Sequence, residues 1–554
     1  MEPHPFLPDA YFDAIDAKAV YDFKDLETDE KVEEVIGRYE ALSDEYPPEL
    51  LDRKGAVPDE ILRKLKAIEF FGLSIPREYG GLGFDLRQYL RVVEKISCRD
   101  MALAILCLAH LSIGTKGIVL YGNDDQKTRY LTPAARGEMI FAFALTEPKT
   151  GSDAKNLETS AFLAPDRKHN ILNGQKTYIT NAKYAGGLTV FAQMDPGRPG
   201  FMGAFIVETS WEGVKVGRDM PKMGLKASST APIQFRDVRV PVDNLLGKPG
   251  DGFKIAMQVL NYGRLALGAA SAGMMAQSFE DMKKRAAGRR QFGVPIDRFE
   301  LIQEKMVKAK VHGYVASAMT AFTAGMLTDN PGLRVAVESS HCKLFGTTQA
   351  WDTLYDALQT AGGAGYLSTL PYEKRMRDFR VSTVFEGTTE IHSIYPALYL
   401  LNLLSKRMRA AGRRKPSQVA FLLKGLFRRT PWRLHFKAGV MGQAARFARS
   451  SARRIRFMLY AGSLLYGKRL VQKQFFLRRI TLLSLYFYGL ICVLAKLQAV
   501  KKTGRGVGEE LIMLGYFLEE ARQSRKRYGG FFPSRLEILN KRIMEGIRER
   551  EPMG

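Results

Sequence analysis

Through the first 140 residues, apolar positions recur at helical spacing. Asp59-Glu60-Ile61-Leu62-Arg63-Lys64-Leu65 begins an amphipathic helix after Pro58, a residue suited to a first turn. Met101–Leu120 reads as an apolar helix interrupted near Gly114 and Gly117. Pro76-Arg77-Glu78-Tyr79-Gly80-Gly81-Leu82-Gly83 reads as a glycine-rich turn.

The period changes over 141–250. Short alternating runs are punctuated by Gly, Asn, Asp and Pro: Ile171-Leu172, Leu188–Gln193, Phe205–Glu208, Gly213–Val216 and Ile233–Val240. Asn173-Gly174 reads as a hairpin turn. Over 251–400 helical periodicity returns in Phe253–Arg285, Ile302–Leu327 and Leu333–Thr360, whose wide apolar faces suit a four-helix bundle. Residues 401–554 are again helical. Val419, Leu422, Leu423, Leu426 and Phe427 form one apolar stripe, ringed by Arg413, Arg414, Lys415, Lys424, Arg428 and Arg429. That pattern fits a helix lying in a membrane interface, or one packed on the bundle. Ile480–Ala495 is uncharged for 16 residues, shorter than the roughly 20 a spanning helix needs, and reads as a buried core helix. The expected architecture is mainly α with a central β domain. An N-terminal helical domain (1–140) precedes a small β-barrel-like domain (141–250), a four-helix bundle (251–400) and an extra helical domain (401–554).

Charge separates the last unit from the rest. Residues 401–554 carry 34 Lys and Arg against 8 Glu and no Asp, a net of +26, while the first 400 residues net −1. Such a surface repels itself unless a polyanion is near, either an anionic membrane or nucleic acid. Apolar residues interleaved with the basic ones (Phe421, Leu426, Phe427, Trp432) argue for lipid. The four cysteines are far apart, which excludes a disulfide scaffold or zinc ribbon and fits a reducing compartment. The first 20 residues have neither a continuous apolar run nor an Arg-rich character, so no cleavable targeting segment is expected. A chain that is cytoplasmic and peripheral on the inner face of a membrane is the resulting expectation.

Generic catalytic motifs are missing. There is no GxxxxGK[ST], HExxH or GxSxG, and Gly362-Gly363-Ala364-Gly365 follows a helix rather than a strand. No metal-ligand set is evident. The specific signals are collinear. They are Leu145-Thr146-Glu147-Pro148-Lys149-Thr150-Gly151-Ser152-Asp153, Tyr178-Ile179-Thr180-Asn181, and Met223-Gly224-Leu225-Lys226-Ala227-Ser228-Ser229-Thr230. Arg289-Arg290-Gln291-Phe292-Gly293 with Ile302-Gln303, Gln359-Thr360-Ala361-Gly362-Gly363, Arg377-Asp378 and Phe385-Glu386-Gly387-Thr388-Thr389-Glu390 follow. In this order they resemble the acyl-CoA dehydrogenase family over about residues 50–400. The basic tail and Leu260-Asn261-Tyr262-Gly263-Arg264 are most similar to its very-long-chain branch.

The resemblance implies an FAD-dependent dehydrogenation of long-chain acyl-CoA thioesters in fatty-acid β-oxidation, with electrons passed to an electron-transfer flavoprotein. Removing hydrogen across the α and β carbons needs a base and a hydride acceptor, and no side chain accepts hydride. A carboxylate in a dry pocket suits the base. Glu386 matches the family's glutamate, with Glu390 as a rival that falls where the family contacts flavin. Some branches place the base on another helix near Arg264, where this chain has no carboxylate. Phe143, Leu145, Thr146, Gly151, Ser152, Tyr178, Ile179, Thr180, Thr388 and Glu390 resemble flavin-holding positions. Arg289, Gln303, Gln359, Gly362 and Gly363 resemble sites for its pyrophosphate and adenine, some supplied by a neighbouring subunit, so a homodimer is implied. Ser152, Asn261, Arg264 and Gly387 resemble substrate-contacting positions. Small residues at Ala104, Ala109, Ser112 and Gly114 suggest a deep acyl pocket, and Leu103, Leu106 and Leu108 a shorter one. The same fold could instead serve a DNA-binding alkylation-response flavoprotein, an assembly or scaffold factor, or an acyl-CoA oxidase.

Overall fold

The computed structural model describes residues 5–195, 197–412, 414–428, 431–436 and 439–548. Arg413 and Arg429 of the basic clusters lie outside these residues. The chain divides into two compact units.

The larger unit comprises 24–334 and 342–389. Its first part is helical, as the periodicity requires. Asp59–Ala67 is a helix with Pro58 at its N-cap, and Leu86–Arg99 starts on a capping box formed by Asp85 and Gln88. The apolar stretch after Met101 breaks ahead of and at Gly114 but not at Gly117, which lies inside the following helix. Met101–Leu108 is α-helical, Ala109–Gly114 a π-turn, and Lys116–Tyr121 α-helical again.

Eight strands follow: β1 (Ile140–Ala144), β2 (Ser160–Leu163), β3 (His169–Thr180), β4 (Ala185–Gln193), β5 (Met202–Glu208), β6 (Val214–Val216), β7 (Thr230–Pro241) and β8 (Leu245–Leu246). They form one mixed sheet in the order β6-β7-β3-β2-β4-β5-β8, with β1 parallel to β4. The sheet wraps a single apolar core that includes Leu172, Leu188, Val190, Phe205, Ile233, Phe235 and Val238.

One turn signal misleads. Asn173-Gly174 does not close a hairpin; both residues sit inside β3, at a bulge in its pairing with β7. The Asn173 amide donates to Asp237 Oδ1 at 2.9 Å, and Asp237 N donates back to Asn173 Oδ1 at 2.8 Å. Gly174 has φ +145°, and a Cβ there would meet Thr159 at 2.6 Å. The side-chain pair and the missing Cβ accommodate an extra residue, which an Asn-Gly pair can do as well as turn a corner. Across the bulge the inward face of β7 passes from Ala231, Ile233 and Phe235 to Val238 and Val240.

Two long helices, Gly252–Gly288 and Glu300–Asp329, pack on one another. The helix Ala336–Ala361 and the helix Thr389–Ala411 each begin or end across the division between the two units.

The smaller unit joins 1–23, 335–341 and 390–554. Compactness therefore groups the first 23 residues with the tail rather than with the helical residues up to 140. The reason is a set of buried polar contacts. Leu7 N donates to Glu338 Oε1 at 2.7 Å, while Tyr11 OH and His341 Nε2 each lie 2.7 Å from Ser484 Oγ. Phe6, Leu7, Tyr11 and Phe12 are buried. Ile480–Ala495 lies within the helix Gln474–Lys502, among the described residues one of two helical stretches long and apolar enough to cross a membrane. The other is Met101–Tyr121, and each has 83% of its apolar window buried inside the protein.

Candidate active site

Glu386 lies in a short loop between the turn Arg380–Thr383 and the helix starting at Thr389. Thr389 Oγ1 donates to Thr383 O at 3.3 Å and closes this loop. Glu386 has φ +56° and Gly387 φ +99°. Two successive left-handed residues reverse the chain sharply, which costs nothing for glycine but about 1–2 kcal/mol for a residue with a Cβ. The strained residue is the one that carries the carboxylate.

That carboxylate points inward, and its Oε2 has essentially no contact with solvent. It rests on the backbone of Gly263, where a Cβ would lie 3.0 Å from Cδ and from both oxygens. A larger residue at 263 would occupy the carboxylate's space. Burial raises the Glu386 pKa from 4.5 to about 7, with Arg264 and Lys343 partly opposing the rise by their positive charge.

The helix Gly252–Gly288 organises one wall by a three-residue ladder. Arg264 Nη1 donates to Asn261 Oδ1 at 3.3 Å, Asn261 Nδ2 to Gln258 Oε1 at 3.5 Å, and Gln258 Nε2 to the carbonyls of Pro331 and Leu333 at 3.1 Å. Residues three apart share a helix face, so the ladder fixes the guanidinium along that wall. Lys343 supplies the other wall. It is fully buried, and its Nζ donates to Gly387 O at 2.6 Å. The motif-based reading did not single out Lys343 or the packing role of Gly263. A lone lysine within the run Ser339–Thr348 was the available signal. Glu390, the rival base, is exposed in the first turn of its helix.

The β-domain residues form a second group. Thr177 N donates to Thr146 O at 2.9 Å, joining the Phe143–Ser152 segment to β3. Glu147 and Lys176 form a buried ion pair at 2.7 Å, and Lys176 also donates to Leu145 O at 3.2 Å. Glu147 further accepts from Glu158 N and Thr159 N. These contacts hold the segment in shape. At the second bulge of β3, between Lys176 and Ile179, Tyr178 has φ +57° and is 66% exposed. It is not a core aromatic. Ile179 is buried, Thr146 and Thr180 are half-buried, and Gly151 and Ser152 are exposed.

Arg289, Gln303, Gln359, Gly362 and Gly363 are all exposed. Among the described residues Gln303 Nε2 donates to Asp297 O and Gln359 Nε2 to Tyr355 OH, and neither bonds to the Glu386 or Tyr178 groups. The neighbouring aromatic Phe292 is 93% exposed at the tip of the hairpin Arg290–Pro295.

Arg377-Asp378 is a strut. Asp378 accepts Leu225 N at 2.5 Å from the Met223–Thr230 segment and pairs with buried Lys374 at 2.6 Å, while Arg377 pairs with Asp52 at 2.8 Å. The small residues at the base of the expected acyl pocket serve packing. Ser112 Oγ lies 2.7 Å from Tyr89 OH, and a Cβ at Gly114 would meet Ala109 O and Phe141 within 2.9 Å. Among the described residues no group of three or more His, Cys, Asp or Glu side chains could hold a metal ion.

A glutamate with a solvent-shielded carboxylate oxygen on a strained turn, a buried guanidinium and an exposed aromatic on a bulged strand can be set beside known proteins. Three family models match in chain order: the acyl-CoA dehydrogenase N-terminal domain (39–138), middle domain (142–238) and C-terminal domain (250–395). The very long-chain specific acyl-CoA dehydrogenase of Bos taurus mitochondria is 34% identical over 498 residues, 86% of this chain and 75% of that one. An acyl-CoA dehydrogenase complexed with FAD from Bacillus anthracis shares the fold at TM-score 0.82 and 27% identity, covering 99% of this chain and 96% of that one. Butyryl-CoA dehydrogenase from Megasphaera elsdenii superposes at TM-score 0.65 and 30% identity over 68% of this chain and all of its own. With all three domains matched in order, the chain belongs to the acyl-CoA dehydrogenase family of oxidoreductases acting on CH–CH bonds.

Proposed function

We propose that this protein dehydrogenates long-chain acyl-CoA thioesters between the α and β carbons, with Glu386 taking the α proton. The observation that carries this reading is the Glu386 carboxylate, held out of solvent against Gly263 with its pKa raised to about 7. A base with that value is both ionised and basic near neutral pH. Arg264 and Lys343 keep it from staying protonated. The strained Glu386–Gly387 turn aims it, and Asn261, Arg264, Gly387 and Ser152 are the residues that would meet the thioester.

The cofactor is FAD, which when bound supplies the hydride acceptor that no side chain can. The β-domain group fits it. An aromatic ring exposed on a left-handed strand residue is costly in a protein without a partner for that ring; half-buried Thr180 lies two residues on in β3, and half-buried Thr146 is tied to the adjacent Thr177 by a backbone hydrogen bond. Phe143, Leu145, Thr146, Gly151, Ser152, Tyr178, Ile179 and Thr180 would hold the ring system, with Thr388 and Glu390 near it. Arg289, Gln303, Gln359, Gly362 and Gly363, exposed in one chain, would complete the site of a second subunit in a homodimer.

A preference for long acyl chains draws support from the 34% identity to very-long-chain-specific relatives. A role in fatty-acid β-oxidation, with an electron-transfer flavoprotein as acceptor, accompanies it. The tail, net +26, would place the enzyme on the inner, cytoplasmic face of an anionic membrane. Val419, Leu423 and Phe427 line one face of the helix Lys415–Phe427 and are exposed, beside Lys415 and Lys424. That combination favours lipid over DNA. The test is purification with a visible spectrum, then anaerobic titration with acyl-CoAs of graded length. Bleaching of a bound flavin by long thioesters supports the reading. A colourless protein that cannot be reconstituted with FAD overturns it.

A further inference from the structure

We propose that Lys343 is the positioning residue of the catalytic turn: its buried ammonium clamps the Gly387 carbonyl and so holds the left-handed Glu386–Gly387 pair that aims the carboxylate at Gly263. The inference rests on the reading of Glu386 as the base.

Lys343 is fully buried within the helix Ala336–Ala361. Burying an ammonium is costly unless its charge and donors are used, and a methionine of similar volume would fill the same space without that cost. One use is visible, the 2.6 Å hydrogen bond from Nζ to Gly387 O. The acceptor is informative. Gly387 follows the glutamate directly, and both residues have positive φ. A backbone in that region persists only where its surroundings over-determine it. The loop is also held by Phe385 N donating to Val381 O at 3.0 Å and by the Thr389–Thr383 bond, neither of which uses an atom of residues 386 or 387. Lys343 reaches the strained pair with a charge-assisted bond, the stronger kind.

The same ammonium acts on the carboxylate through space. The charged groups that face Glu386 are Arg264, from the helix Gly252–Gly288, and Lys343; both favour its ionised form against burial. Arg264 is bonded to Asn261, and both are among the residues proposed to meet the thioester, so its own removal would confuse positioning with binding. Lys343 reaches the turn through the backbone and offers the cleaner test.

The experiment uses the full-length holoenzyme and compares Lys343→Met, Lys343→Arg and Glu386→Gln by kcat, KM for a long acyl-CoA, flavin content and the pH dependence of kcat/KM. Lys343→Met is expected to retain flavin and keep KM within about threefold, yet lower kcat about tenfold or more. It is also expected to move the acidic midpoint of kcat/KM upward by about one pH unit. Lys343→Arg keeps the charge with a wider head, so the midpoint should return close to its original value while kcat recovers only in part. A midpoint that does not move in Lys343→Met, an unchanged kcat, or a loss confined to KM or flavin content overturns the proposal. Should Lys343→Met fail to fold, Lys343→Arg decides: lowered kcat at an unmoved midpoint supports the clamp, and unaltered kcat refutes it. Glu386→Gln separates the two claims. If that variant turns over normally, the base assignment fails and this inference with it. If it is inactive while Lys343→Met behaves as wild type, only the present inference fails.

Discussion

The ionisation of Glu386 makes a quantitative demand on the pH profile. The group works as a base, so kcat/KM must rise with pH as the carboxyl loses its proton. With a pKa of about 7, the ionised fraction is about 9% at pH 6 and about 91% at pH 8. The expected gain across that interval is therefore about tenfold. An ordinary carboxyl at 4.5 would already be about 97% ionised at pH 6 and would give a flat profile. The assay is the initial rate at low acyl-CoA concentration from pH 5.5 to 8.5 with an artificial acceptor whose own chemistry is independent of pH, because kcat/KM reports the free enzyme. Glu386→Gln in the same buffers should lose about three decades of rate and the pH dependence together. Stability supplies a second readout. A carboxyl whose pKa is raised by folding contributes most below its unfolded value and loses that contribution as pH rises through 7. Replacing it with Gln should therefore raise the unfolding free energy relative to wild type more at pH 8 than at pH 5, by at most about 3 kcal/mol, read as a larger gain in thermal midpoint at pH 8. A level kcat/KM between pH 5.5 and 8, or a Gln variant with near-normal turnover, refutes the reasoning.

Gly263→Ala should lower kcat about tenfold or more at normal flavin content, because its Cβ would lie 3.0 Å from the Glu386 carboxyl atoms and displace them; unchanged kcat would mean that the carboxylate does not work from this position. Lys374→Met leaves Asp378 and nearby Asp100 without their cation and should destabilise the fold by about 3–5 kcal/mol, read as a lowered calorimetric midpoint. An unaltered midpoint would show that the strut does not bear on stability. Replacing Arg413, Arg414 and Lys415 by Glu should release the protein from anionic vesicles in a flotation assay, and retention would move the membrane contact elsewhere in the tail.

The large periodicities were legible because burial of one face dictates them. Gly252–Gly288 and Glu300–Asp329 follow the predicted runs within a few residues at each end. Glu386 was legible through its neighbours, Phe385 and Gly387-Thr388-Thr389, rather than through any property of a lone glutamate. Other features escaped because their cause is long-range. Asn173-Gly174 has the local chemistry of a turn, yet its outcome depends on Asp237 across the sheet. Lys343 looks like a solvated helix lysine until the helix is seen to bury it against residue 387. The association of Phe6–Phe12 with residues 338 and 484 has no local signal, since an amphipathic segment does not name its partner.

That last association bears on how the polypeptide is made. Tyr11 and Ser484 are hydrogen-bonded across 473 positions of sequence. At about 5–20 residues per second, the ribosome needs on the order of 25–95 s to deliver the second after the first. Throughout that interval the rings of Phe6, Tyr11 and Phe12 have no finished binding surface, while the dehydrogenase portion between them is already free to fold. Nascent chains should accordingly depend on a holdase to shelter the leading segment, and the tail unit is the last part of the enzyme to mature.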